Sequence, residues 1–92
     1  MSVRVKLPTL LRANAEGRSV VEGKGGGTLR ELFDDLESRY PGLTERIVTD
    51  EGALARFVNV YVNDEDVRYL GSLETEVGED DTVAILPAVA GG

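Results

Sequence analysis

One helical stripe in a chain of 92 residues most narrows what the protein can fold into. Leu29, Leu32, Phe33, Leu36 and Tyr40 fall at i, i+3, i+4, i+7 and i+11. That spacing places them on one face of a helix, which must be buried against another element. Thr28, with Glu31 three residues on, predicts a capping box at the start of the helix. Pro41 and Gly42 stop it after Tyr40. Arg30–Asp34 and Asp35–Arg39 are spaced i, i+4 on the wet face. A chain of this length has room for one core, so the stripe has to find its partner in the remaining segments.

Those segments read mostly as strands. Val3, Val5 and Leu7 alternate with Ser2, Arg4 and Lys6, the period of a strand with one buried face, and Pro8 ends it. Leu10 and Leu11 are expected to tuck under the loop that follows, and residues 14–17 carry turn chemistry. A return strand is expected over residues 18–22. Gly23-Lys24-Gly25-Gly26-Gly27 lacks the register of a phosphate loop, because its lysine precedes the glycines, and reads as a flexible connector. Over residues 43–56, Leu43, Ile47, Val48 and Leu54 would anchor the chain beneath the sheet, with a single helical turn near 44–47. Residues 57–63 alternate cleanly: Val58, Val60 and Val62 toward the helix, Phe57, Asn59 and Tyr61 away from it. A turn at 63–66 leads to a brief return over 67–70. Residues 74–81 form an acidic, solvated loop without the spacing of a calcium site. The last strand is 82–86, with Val83 and Ile85 inward and Pro87 as its stop. The order strand, strand, helix, strand, short strand, strand is similar to the β-grasp fold of ubiquitin. The expected fold is therefore α+β: a mixed four- to five-stranded sheet with one main helix on one face. The domain spans residues 1–87, and residues 88–92 form a flexible tail.

The composition removes whole classes of chemistry. With no Cys and no His, thiolate nucleophiles, disulfides, imidazole bases and the usual zinc ligand sets are absent. No metal site is expected. A formal net charge of −7 opposes nucleic-acid binding, which needs a basic surface. No apolar run reaches the length of a membrane span, and the first residues show no secretion signal, so the expected location is the cytoplasm. The chain reads as a substrate for other enzymes and not as an enzyme.

Two stretches then gain meaning together. Residues 57–68, Phe-Val-Asn-Val-Tyr-Val-Asn-Asp-Glu-Asp-Val-Arg, and residues 83–92, Val-Ala-Ile-Leu-Pro-Ala-Val-Ala-Gly-Gly, resemble the bacterial sulfur-carrier family of ThiS and MoaD. The likeness is strongest to the actinobacterial branch that serves cysteine synthesis, and it extends to Leu7-Pro8-Thr9 and Arg12. Glu79-Asp80-Asp81 departs from the family, which usually places a glycine in that turn.

The resemblance implies a carrier cycle centred on Gly92. A ubiquitin-activating-type (E1-like) enzyme of the MoeB and ThiF kind would adenylate the Gly92 carboxylate, consuming ATP and magnesium. Sulfur would then displace AMP and leave a thiocarboxylate. Ala88, Val89, Ala90 and Gly91 would thread the partner's active site, where small side chains allow close approach. The carrier would bind no cofactor and stand alone as a monomer. The client would be a synthase: a pyridoxal-phosphate-dependent cysteine synthase or a thiosugar synthase. Two rival readings keep the same tail, a small subunit of molybdopterin synthase and a ubiquitin-like modifier conjugated through Gly92. Alternation alone groups Arg4, Lys6, Phe57, Tyr61 and Leu86 on the sheet face away from the helix. Large apolar groups exposed together mark a docking surface for those partners.

Overall fold

The structure, a computed structural model, describes residues 2–87. Seven strands and one α-helix follow in the order β1 (Ser2–Lys6), β2 (Val20–Lys24), β3 (Gly27–Thr28), α1 (Leu29–Arg39), β4 (Val58–Val62), β5 (Glu65–Asp66), β6 (Glu76–Val77) and β7 (Thr82–Pro87). The main sheet has five strands in the order β2-β1-β7-β4-β5, while β3 and β6 pair separately. β1 and β7 are parallel, and the other neighbours in the main sheet are antiparallel. This mixed sheet with one main helix is the expected β-grasp architecture.

The period-2 patterns decide the core. Val3, Val5, Val21, Val58, Val60, Val62, Val83 and Ile85 are buried from the sheet, and Leu29, Leu32, Phe33 and Leu36 meet them from α1. Among the described residues no charged or polar side chain is buried. The helix starts and stops where its sequence dictates. Thr28 Oγ1 accepts from the Glu31 N–H at 3.3 Å while Glu31 Oε1 accepts from the Thr28 N–H at 2.8 Å, completing the capping box. Tyr40 is the C-cap, and Gly42 takes the left-handed φ of 93° that turns the chain away. Leu43 and Ile47 are buried, a 3-10 turn spans Thr44–Arg46, and Val48 bridges Leu54, so residues 43–56 do anchor against the core.

Several expectations give way to tertiary contacts. The second strand lies at Val20–Lys24, two residues later than expected, and takes in the first glycine of the Gly-rich run. That run is a packing feature as much as a connector. A Cβ on Gly23 would sit 2.5 Å from Leu32 Cδ1, and one on Gly25 would sit 2.7 Å from Val3 Cγ2 and 3.1 Å from the Glu79 backbone. Gly27–Thr28 then pairs with Glu76–Val77, so the supposed acidic loop contains a strand and the buried Val77. The turn after β4 needs only Asn63 and Asp64, both left-handed, and pairing resumes at once in Glu65–Asp66. Val67–Tyr69 is accordingly a 3-10 turn capped by Asp66, not a return strand. Arg30 pairs with Glu74 at 2.9 Å, 44 residues away, in place of Asp34; Arg39 does reach Asp35, at 2.8 Å. The Gly78–Asp81 turn closes through its backbone at 3.1 Å with neither Glu79 nor Asp80 left-handed, so neither position requires a glycine.

Candidate functional site

Four chain segments meet at one end of the main sheet: the end of β1, the start of β2, the start of β4 and the end of β7. The register forces this, because β7 runs parallel to β1 and antiparallel to β4, with Val58 opposite Pro87 and Asn59 opposite Leu86. Pro87 is therefore the point from which the remaining five residues depart. Ala88, Val89, Ala90, Gly91 and Gly92, the expected threading segment and reactive terminus, lie outside the described residues.

The face away from α1 carries the side chains that alternation placed there. Lys6 lies opposite both Val20 and Ala84, and Ala84 opposite Tyr61, giving one row across four strands. Arg4 lies between Glu22 and Thr82 in the next row. Arg4 and Lys6 are exposed, and neither enters an ion pair among the described residues. Phe57, just before β4, is 75% exposed and Leu86 is 48% exposed, whereas Tyr61 is only half-buried. The structure thus brings Arg4, Lys6, Tyr61 and Leu86 together on one face, with Phe57 at its edge.

Three further residues complete this surface. Leu10, expected to tuck inward, is 45% exposed; its neighbour Leu11 is the one that is buried. Adjacent side chains on a 3-10 turn diverge by a third of a revolution, so only one of the pair can face the core. Val20 is exposed for the corresponding reason in a strand, since it and the buried Val21 point to opposite faces. Arg12, whose Nε donates to the Leu7 carbonyl at 3.3 Å, lines the same groove. The groove runs past Lys6, Leu10, Arg12, Val20, Leu86 and Pro87, and a second hollow links Leu10 to Phe57. Both doublets, Leu10-Leu11 and Val20-Val21, were visible in the sequence as sites where one apolar side chain must point outward.

The two carboxylates held below their ordinary range act elsewhere. Glu37 is lowered first by the Gly42 N–H, then by the Thr44 hydroxyl and N–H, and ties the end of α1 to the next turn. Asp81 is lowered first by the Asn63 amide, then by the Gly78 N–H, at the end of β7 remote from Pro87. No group of acidic residues among those described could hold a metal ion. The helix N-terminus is occupied by its own Glu31 carboxylate. Among the described residues, the tail-exit face presents the exposed apolar side chains of Leu10, Val20, Phe57 and Leu86 beside Arg4 and Lys6.

The profile of the ThiS family matches residues 5–92. The chain belongs to the ThiS family. Across its full length it is 49% identical to the sulfur carrier protein CysO of Mycobacterium tuberculosis, over 94 residues and 100% of both chains. It also superposes, with a TM-score of 0.89 and 56% identity over 98% of this chain and 99% of the other, on a chain of the BexX/CysO complex of Amycolatopsis orientalis. The molybdopterin synthase sulfur carrier subunit of Aspergillus niger is more distant: 36% identical over 64 residues, 70% of this chain and 65% of the other. The expected sulfur-carrier class and its CysO branch are therefore borne out. The ThiS family member described here has the fold of those carriers, and no helix among its described residues is long and apolar enough to cross a membrane.

Proposed function

We propose that this sulfur carrier works through Gly92, as a substrate of other enzymes and with no catalysis of its own. An activating enzyme of the MoeB and ThiF kind docks on the tail-exit face and receives the five residues that follow Pro87. Fully extended, those residues reach at most roughly 18 Å, enough to enter a buried active site from a docked domain. The Gly92 carboxylate attacks the α-phosphate of magnesium-bound ATP, and pyrophosphate leaves. The resulting acyl adenylate is electrophilic where the carboxylate was not. A sulfur nucleophile then displaces AMP and leaves the Gly92 thiocarboxylate, whose charge rests on a soft, nucleophilic sulfur. A client synthase takes up that sulfur, with a pyridoxal-phosphate enzyme acting on an activated serine as the first choice and a thiosugar synthase as the second. Because the cycle consumes ATP, we place it in the cytoplasm.

One observation carries this reading: Leu10, Val20, Phe57 and Leu86 are exposed together around the strand end from which the Gly-Gly segment departs. Evenly scattered apolar residues would need no explanation, but a cluster at the tail exit does. The CysO of Amycolatopsis orientalis is known in complex with BexX, which supports a docking partner for this chain as well. The test is intact mass after incubation with the activating enzyme, ATP, magnesium and sulfide. Exchange of one oxygen for sulfur at the terminus supports the reading, and an unchanged mass under conditions that load a known carrier refutes it.

A further inference from the structure

Arg68 lies outside the tail-exit groove, yet it makes two long-range bonds with its guanidinium. Its Nη1 donates to Asn59 Oδ1 at 2.8 Å and its Nη2 to the Ala55 carbonyl at 2.9 Å, while its own N–H donates to Asp66 Oδ1 at 2.9 Å. In a chain with 17 acidic residues the guanidinium forms no ion pair among the described residues. Its charge-assisted bonds go to a backbone carbonyl and an amide, which a planar fork can hold at a set spacing. Between those two acceptors lie Arg56, Phe57 and Val58. Ala55 is buried and its N–H donates to the Ile47 carbonyl at 2.8 Å; Asn59 is paired in β4 with Leu86. The fork therefore clasps both sides of the short crossing that carries Phe57, the most exposed member of the tail-exit cluster.

We infer that Arg68 is a positioning residue for docking: by bridging Ala55 and Asn59 it holds the Phe57 ring where a partner meets it. An aromatic ring presented to solvent has no core contacts to orient it, so its backbone must be held from the flanks. Arg68 need not touch the partner. This inference rests on the reading of the tail-exit face as the docking surface.

The test is a double-mutant cycle on the Michaelis constant for the carrier, measured with the activating enzyme by ATP–pyrophosphate exchange. Phe57→Ser is expected to raise KM by about tenfold or more, the size of an interface hot spot. Arg68→Met should raise KM several-fold with kcat unchanged, and Arg68→Lys should fall between, since one ammonium cannot span both acceptors. The variant carrying both F57S and R68M should be no worse than F57S alone, because Arg68 acts through Phe57. Amide hydrogen exchange at Ala55, whose N–H donates to the Ile47 carbonyl, should quicken in R68M while β1 is unchanged. If F57S raises KM and R68M or R68K does not, or if the two effects multiply, Arg68 has no positioning role. If F57S itself leaves KM unchanged, the docking reading falls and this inference with it.

Discussion

Asp81 Oδ1 accepts from Asn63 Nδ2 at 2.8 Å across 18 residues, and this pair lies at the end of the β4–β7 ladder opposite Pro87. Asn63 Oδ1 in turn accepts from the Thr82 N–H at 3.0 Å, and Asp81 Oδ2 accepts from the Gly78 N–H at 2.7 Å. The left-handed hairpin residue is thereby tied to the first residue of β7. The acidic turn works through this carboxylate.

That bonding makes stability depend on pH in a definite direction. Asp81 is held below its ordinary range by the Asn63 amide first, and Glu37 by the Gly42 N–H first. Both contributions are complete above the unfolded-state values, about 4 for either carboxyl, and are lost as pH falls through the lower folded values. Asp81→Ala and Glu37→Ala should each lower stability by about 1 to 2 kcal/mol at neutral pH, through lost hydrogen bonds to a charged acceptor. The gap between parent and variant should narrow as pH is lowered from 6 toward about 2.5. Urea unfolding at a series of pH values checks this, and a gap that widens in acid would contradict it.

The Gly-rich run should resist a side chain at its packed positions. Gly23 faces Leu32 and Leu36 of α1, and a Cβ there would sit 2.5 Å from Leu32 Cδ1 and 3.1 Å from Leu36 Cδ2. Gly23→Val should cost about 1 to 3 kcal/mol by overpacking. Gly26→Ala has open space around it and should be milder, its penalty arising only from a φ of 86°. Thermal melting of the two variants side by side gives the ranking.

Docking and folding should separate cleanly at the tail exit. Leu10→Ser, Val20→Ser and Leu86→Ser remove exposed apolar surface, so each should move the melting temperature little while weakening capture by the activating enzyme several-fold. Tyr61→Ser should cost more stability than these, because Tyr61 is half-buried. Isothermal titration alongside melting curves distinguishes the two quantities.

Chain length at the terminus should matter to chemistry alone. Removing Gly92 moves the carboxylate back by about 3.5 Å. Misplacement of about 1 Å can cost a hundredfold in rate where reacting groups must be aligned. Gly91→Val should also obstruct a narrow channel, more than Gly91→Ala. ATP-dependent thiocarboxylate formation, read by intact mass, should fall steeply for the shortened chain and for G91V. Loading of the shortened chain at the parental rate would refute the carrier mechanism.

What the sequence by itself determined is local and periodic. The stripe from Leu29 to Leu36 and the alternation of Val58, Val60 and Val62 decided helix, strand and inward face, because side-chain direction follows backbone period within a few residues. The capping box of Thr28 and Glu31 and the stop at Gly42 were legible for the same reason, whereas the last strand runs on through Pro87, one residue further than expected. The resemblance of residues 57–68 and 83–92 was enough to point to the carrier family. The tertiary structure alone decided what depends on neighbours distant in the chain. Period says that one of Leu10 and Leu11 must face outward, but only the end of β1 packed beside Pro87 makes Leu10 part of the tail-exit surface. Nothing near Arg30 in sequence names Glu74, and nothing near Arg68 names Ala55. Gly23 read as part of a flexible connector because its lack of a side chain is the same in a loop and against a helix; the approach of Leu32 gives it its role. Such pairings arise when the sheet order β2-β1-β7-β4-β5 brings remote segments together, and a linear pattern holds no record of that order.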